Sequence, residues 1–158
     1  MIKNFASGIC AVLAIFAGCS TESITKKTCI NERTKEAAIS WGEYSTKTGQ
    51  MRAYQFNGGL VFSKFLRESE TDTNKFTKIG DLSSDDFCKY LPTVLRTFDT
   101  VQTLHAPGDI ARFVEYSNKE TSTRIRAVWN PEYKTYGSKA FRSVYDSLMT
   151  IVPPEQRW

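Results

Sequence analysis

Cys88 and His105 are the two side chains of this chain best suited to covalent chemistry. A thiolate attacks a carbonyl once an imidazole takes its proton, and His105 is the only histidine present. Cys88 stands in Asp86-Phe87-Cys88-Lys89, where the Lys89 ammonium would lower the thiol pKa. His105 also lies four residues before Asp109, but a serine hydrolase of the α/β type needs a Gly-x-Ser-x-Gly elbow, and the chain contains none. Glu43 and Glu115 would suit glycan cleavage if the fold brought them together; read as strand residues, they are much better explained as exposed carboxylates. One histidine falls short of the usual zinc ligand sets, and Asp81, Asp85 and Asp86 are accounted for by a helix start. Neither a metal nor another cofactor is expected. The reading is therefore a domain that binds rather than catalyses, with a hydrolase using Cys88 and His105 as the alternative.

A second set of residues points to binding. Arg124, Arg126, Lys134, Lys139 and Arg142 are interleaved with Trp129, Tyr133 and Tyr136, and Arg and Tyr are common at interface hot spots. Arg124, Arg126, Tyr133, Tyr136 and Arg142 form the candidate surface, and an envelope protein, a wall polymer or an anionic lipid headgroup would suit it. The competing explanation puts the aromatics in the core and the cations on a solvated face. The formal net charge is only +4 over 158 residues, with both signs interspersed. That is not the electrostatic footprint of a nucleic-acid binder.

The compartment is suggested by the first twenty residues. Met1-Ile2-Lys3-Asn4 is a short charged start, Phe5 to Phe16 is almost wholly apolar, and Ala17-Gly18-Cys19-Ser20 is a run of small residues. This is the order of an export signal, and the apolar run is shorter than the roughly 20 residues a spanning helix needs. Phe16-Ala17-Gly18-Cys19 resembles the lipobox of bacterial lipoproteins, with Phe16 where that family usually has Leu. The resemblance implies cleavage before Cys19, a diacylglycerol on its thiol and, in most members, acylation of the new amino group. One acyl chain anchors only reversibly, whereas two or three make attachment effectively permanent. Ser20, where an Asp would imply retention at the inner membrane, implies an outer-membrane address if the host has two membranes. A plain secretory signal cut after Ser20 is the other reading.

Some bacterial lipoproteins of this size resemble cell-wall peptidases whose nucleophile stands in an Asp-Cys-Ser-Gly run at a helix start. Asp86-Phe87-Cys88-Lys89 departs from that run. Cys10 would leave with the signal and Cys19 would carry lipid, so Cys29 and Cys88 remain. Outside the cytoplasm the two are free to form a disulfide; otherwise Cys88 is a small boundary residue and Cys29 a free thiol.

The elements that would position these residues follow from patterning. After a signal over 1–18, residues 19–37 are a polar spacer with at most a short helix near Asn31, one globular domain covers 38–154, and 155–158 are a tail. Strands are expected over 38–46, 50–56 and 60–67, with Asn57-Gly58 as a type I′ hairpin turn, and a short edge strand at 75–79. Ser83 caps a helix carrying Phe87, Leu91, Val94, Leu95 and Phe98 on one face, and Pro92 predicts a kink or a break near Tyr90. A second hairpin covers 112–117 and 123–129, and Ser138 caps a last helix through Phe141, Val144, Tyr145 and Leu148. The expected fold is α+β: an antiparallel sheet of about five strands with two main helices packed on one face.

Overall fold

The computed structural model describes residues 29–101 and 104–158. The expected signal, Cys10, the expected lipidation site Cys19 and most of the expected spacer lie outside these residues. Within them the fold is α+β, with two helices and a seven-stranded, mostly antiparallel sheet.

In chain order the elements are β1 (Ala37–Ser45), β2 (Met51–Asn57), β3 (Val61–Arg67), β4 (Lys75–Asp81), α1 (Ser84–Thr100), β5 (His105–Ala106), β6 (Ile110–Asn118), β7 (Thr123–Trp129) and α2 (Tyr136–Met149), then a 3₁₀ turn at Pro154–Gln156. Their order in the sheet is β4-β3-β2-β1-β6-β7-β5. β1 lies in the middle because it pairs along its length with β2 on one side and β6 on the other. The count of five strands is thus corrected to seven. The segment 75–81 pairs with β3 through a register shift that skips Ile79, and His105-Ala106 adds a two-residue parallel strand against β7. Two residues are too few to leave a period in the sequence.

Alternation along the strands divides the sheet into two apolar faces. Ile39, Trp41, Tyr54, Phe56, Phe62, Val114, Ala127 and Trp129 share one core with the buried stripes of both helices. Trp41 sits amid Tyr54, Phe56 and Phe62, with ring centroids within 5.9 Å, and Phe141 of α2 meets Phe98 of α1 at 4.9 Å. Met51, Ala53, Phe65, Ala111, Phe113 and Val128 form a smaller cluster on the other face.

Three local details differ from the patterning. α1 runs unbroken through Pro92, which lies on the exposed side of the helix. α2 begins one turn earlier than Ser138 would have it: Thr135 is the N-cap, and Ser138 closes a reciprocal capping box with it. In the β2–β3 turn the positive φ falls on Leu60, not on Asn57-Gly58. Asn57 holds this three-residue loop by accepting from the Val61 amide at 3.2 Å, and Gly58 is required because a Cβ there would lie 2.3 Å from the Thr34 carbonyl oxygen.

Cys29 and Cys88 are joined by a disulfide, with Cα atoms 5.3 Å apart. It ties the start of the described chain to the second turn of α1. The residues after it do not form the short helix considered near Asn31 but hydrogen-bonded turns, in which Thr34 and Lys35 amides donate to the Asn31 carbonyl.

Candidate functional site

The two ends of the sheet differ, and the register says which residues belong to each. At one end lie the disulfide, the start of β1, the Asn57–Leu60 turn and the β6–β7 turn. Asn118 donates there to the Arg33 carbonyl at 2.7 Å, and Gly58 abuts Thr34 and Lys35. At the opposite end are the β1–β2 turn, residues 106–110 and the loop 130–135. Thr46 donates to the Gly108 carbonyl there, and Lys47 pairs with Asp109 at 2.5 Å. β1 spans the distance between the ends with nine residues, about 30 Å at strand rise.

The loop 130–135 is held by its own chain. Arg142, on the first half of α2, donates to the carbonyls of Asn130, Pro131 and Tyr133 at 2.7, 2.9 and 2.6 Å. The Asn130 amide donates to the Ala106 carbonyl at 2.7 Å, and its side chain accepts from the Glu132 amide at 2.8 Å. Gly108 lets the neighbouring loop come this close, since a Cβ there would lie 2.2 Å from Asn130 Nδ2. Tyr133 and Tyr136 are left standing out of this frame at 67% and 99% exposure, and Ile110 is 47% exposed beside them. Between the two loops is a crevice of about 440 Å³, walled by Pro107, Ile110, Pro131 and Tyr133.

The candidate binding residues therefore separate. Arg124 and Arg126 lie on the sheet face away from the helices, where both donate through Nε to Glu115, at 2.9 and 2.5 Å. Glu115 is 6% exposed, and the Arg126 guanidinium also covers the Phe113 ring at 4.5 Å. These two arginines neutralise a buried carboxylate. Arg142 positions the loop, Arg124 is exposed but on the other sheet face with Glu115, and Tyr133 and Tyr136 are the candidates presented to solvent at this end. Ile110 and Pro107 were not distinguishable in sequence, because their role comes from two loops that meet only in the fold.

The chemistry weighed for the other residues is likewise resolved into separate places. Cys88 has its sulfur in the disulfide, so this form offers no thiolate. His105 sits on the edge strand beyond the end of α1, and the helix extends about 18 Å past Cys88 before it is reached. Glu43 faces α2, whereas Glu115 is on the reverse of the sheet, so the two carboxylates cannot flank one glycosidic bond. Among the described residues no three His, Cys, Asp or Glu side chains group as metal ligands.

A polar cleft lies beneath α2 on the helix side. In the register Glu43 of β1 stands between Arg52 of β2 and Arg112 of β6. Arg112 Nε donates to Glu43 at 2.6 Å, and its guanidinium lies 5.0 Å from the centre of the Tyr145 ring. Burial pushes the Tyr145 phenol well above its ordinary pKa, and the Glu43 carboxylate adds to this. Tyr54 is raised chiefly by burial too, against a lowering hydrogen bond from the Trp158 amide. Burial alone would lower Arg112, but the hydrogen bond it donates to Glu43 and the charges around it raise it overall.

Compared with known proteins, the chain matches no family model and no curated protein. The reading of the site thus rests on its own geometry.

Proposed function

We propose that this chain is a lipid-anchored protein of the bacterial cell envelope whose domain binds a partner, without catalysis, through the end of the sheet carrying Tyr133 and Tyr136. The observation that carries this reading is the position of the Cys29–Cys88 bridge. It pins the chain ten residues after Cys19, which limits the tether to about 35 Å when fully extended, and it does so at the end opposite the loop 130–135. Anchored through Cys19, the domain would turn its disulfide end to the bilayer and hold the two exposed tyrosines on the far side. A disulfide is also at home in an oxidising compartment, as export requires.

Rigid aromatics on a preorganised loop suit an interface, because their area is buried on binding at little entropic cost. An envelope protein or a wall polymer fits this placement better than the headgroups of the anchoring membrane, which would lie at the other end. The outer membrane is the proposed address if the host has two membranes.

A photo-crosslinking amino acid at 133 or 136 tests the rim in intact cells. The reading expects a discrete higher-mass product from both positions and none from position 119 at the disulfide end. Equal products from 119 and 136, or products from 119 alone, would overturn it.

A further inference from the structure

We propose that the cleft beneath α2 is a second binding site, for a small organic oxyanion: a carboxylate or phosphate borne on a flat ring. It is distinct from the rim of Tyr133 and Tyr136 and does not depend on it.

The cleft has a volume of about 400 Å³, within the range of roughly 300–1,000 Å³ typical of small-ligand sites. Its floor is the cross-strand row Arg52, Glu43, Arg112, two guanidiniums about a single carboxylate. Arg112 spends only its Nε on Glu43, so its two terminal nitrogens remain as donors. Among the described residues Arg52 makes no ion pair; its guanidinium lies 5.8 Å from the centre of the Trp158 ring, and the Lys64 ammonium approaches the same ring at 5.0 Å. Asp146 on the rim is the one further carboxylate of the lining. Two guanidiniums of the lining thus face the side-chain carboxylates of Glu43 and Asp146, and the Lys64 ammonium stands just outside, at the Trp158 ring.

The roof supplies the second, independent observation. Tyr145 is 93% buried, being 7% exposed, and its hydroxyl has no hydrogen-bond partner among the described residues. Among the described residues the only side-chain polar atoms that are both sealed from solvent and unpartnered are the indole nitrogens of Trp41 and Trp129. The Tyr145 oxygen is therefore reachable, and the cleft it lines is where it is reached. Burial holds it protonated, hence a donor at neutral pH. A neutral phenolic donor and two guanidiniums converge on an oxyanion, and a planar guanidinium matches carboxylate and phosphate geometry. Trp158, 49% exposed at the mouth, offers a face against which a ring can stack.

Calorimetric titration of the full chain with benzoate, phenyl phosphate and inorganic phosphate tests the assignment. At least one ring-bearing anion should bind saturably and at least tenfold more tightly than inorganic phosphate. Tyr145→Phe removes one hydroxyl that bonds to nothing in the protein, so the unfolding midpoint should stay unchanged while affinity falls five- to tenfold. Arg52→Gln should weaken binding by a similar factor. No saturable binding of either ring-bearing anion, or binding equally tight in a folded Tyr145→Phe/Arg52→Gln double variant, would overturn the proposal.

Discussion

Arg142 shows how a residue type misleads when read alone. An exposed cation among aromatics suggests a ligand contact, yet its guanidinium is engaged by three backbone carbonyls of one loop. Arg142→Ala should cost about 2–3 kcal/mol, since hydrogen bonds from a charged donor are the stronger kind. Thermal melts would register that loss, and amide exchange should quicken at 132–135 more than in β1. Lys should rescue poorly, because an ammonium cannot spread across three acceptors. Glu115 is the mirror case: removing it as Glu115→Ala strands Arg124 and Arg126, and urea denaturation should show a loss of roughly 2–3 kcal/mol, below the full cost of breaking a buried pair because Arg124 is largely solvated. Tyr145 carries a pH dependence of definite sign. Its proton is held more tightly in the folded than in the unfolded state, so its contribution is intact below about pH 10, the unfolded value, and is lost as pH rises further. Stability measured between pH 9 and pH 11 should fall, and Tyr145→Phe should flatten that fall. These roles could not be read from the sequence, since each depends on a partner nine or more positions away.

At the scale of elements, local signals were legible where they were local in cause. The α1 cap at Ser83, accepting from the Asp86 amide at 3.0 Å, and the apolar stripes of both helices follow from spacing alone. β7 matches its expected span, with Arg124 and Arg126 on one face and Ala127 and Trp129 on the other. The misreadings share a physical reason: a cap, a turn or a two-residue strand is decided by tertiary contact. Ser138 and Thr135 are both competent caps, and Leu60 takes the strained φ because Thr34 and Lys35 crowd the turn at Gly58. Pro92 is a case with a direct test. The helix runs through it although it withholds an amide from the Cys88 carbonyl, so Pro92→Ala, at an exposed position, should stabilise the protein by about 1–3 kcal/mol in chemical denaturation. A lower midpoint for this variant would mean that the ring makes a contact worth more than the missing bond.

For the molecule as a whole, the bridge between Cys29 and Cys88 contributes to stability and, under the proposed anchoring at Cys19, would set orientation. Closing a loop with 59 residues of separation contributes about 4 kcal/mol in the chain-entropy model, and Cys29→Ser with Cys88→Ser should lower the unfolding midpoint accordingly. The same change would let residues up to the start of β1 join the tether, lengthening its reach from about 35 Å to about 60 Å. The proposed compartment was the property most open to a reading from sequence, because an export signal would be a linear segment. Partner and ligand were the least, because the rim and the cleft each gather residues from several elements. The account as a whole turns on the proposed lipid at Cys19. Detergent phase partitioning of the wild-type chain and Cys19→Ala, with intact mass of each product, tests it most directly. The wild type should enter the detergent phase carrying a diacylglyceryl mass on a chain that begins at residue 19, and Cys19→Ala should lose both. A Cys19→Ala product that partitions as strongly as wild type, or a wild-type chain of unmodified mass beginning elsewhere, would contradict it.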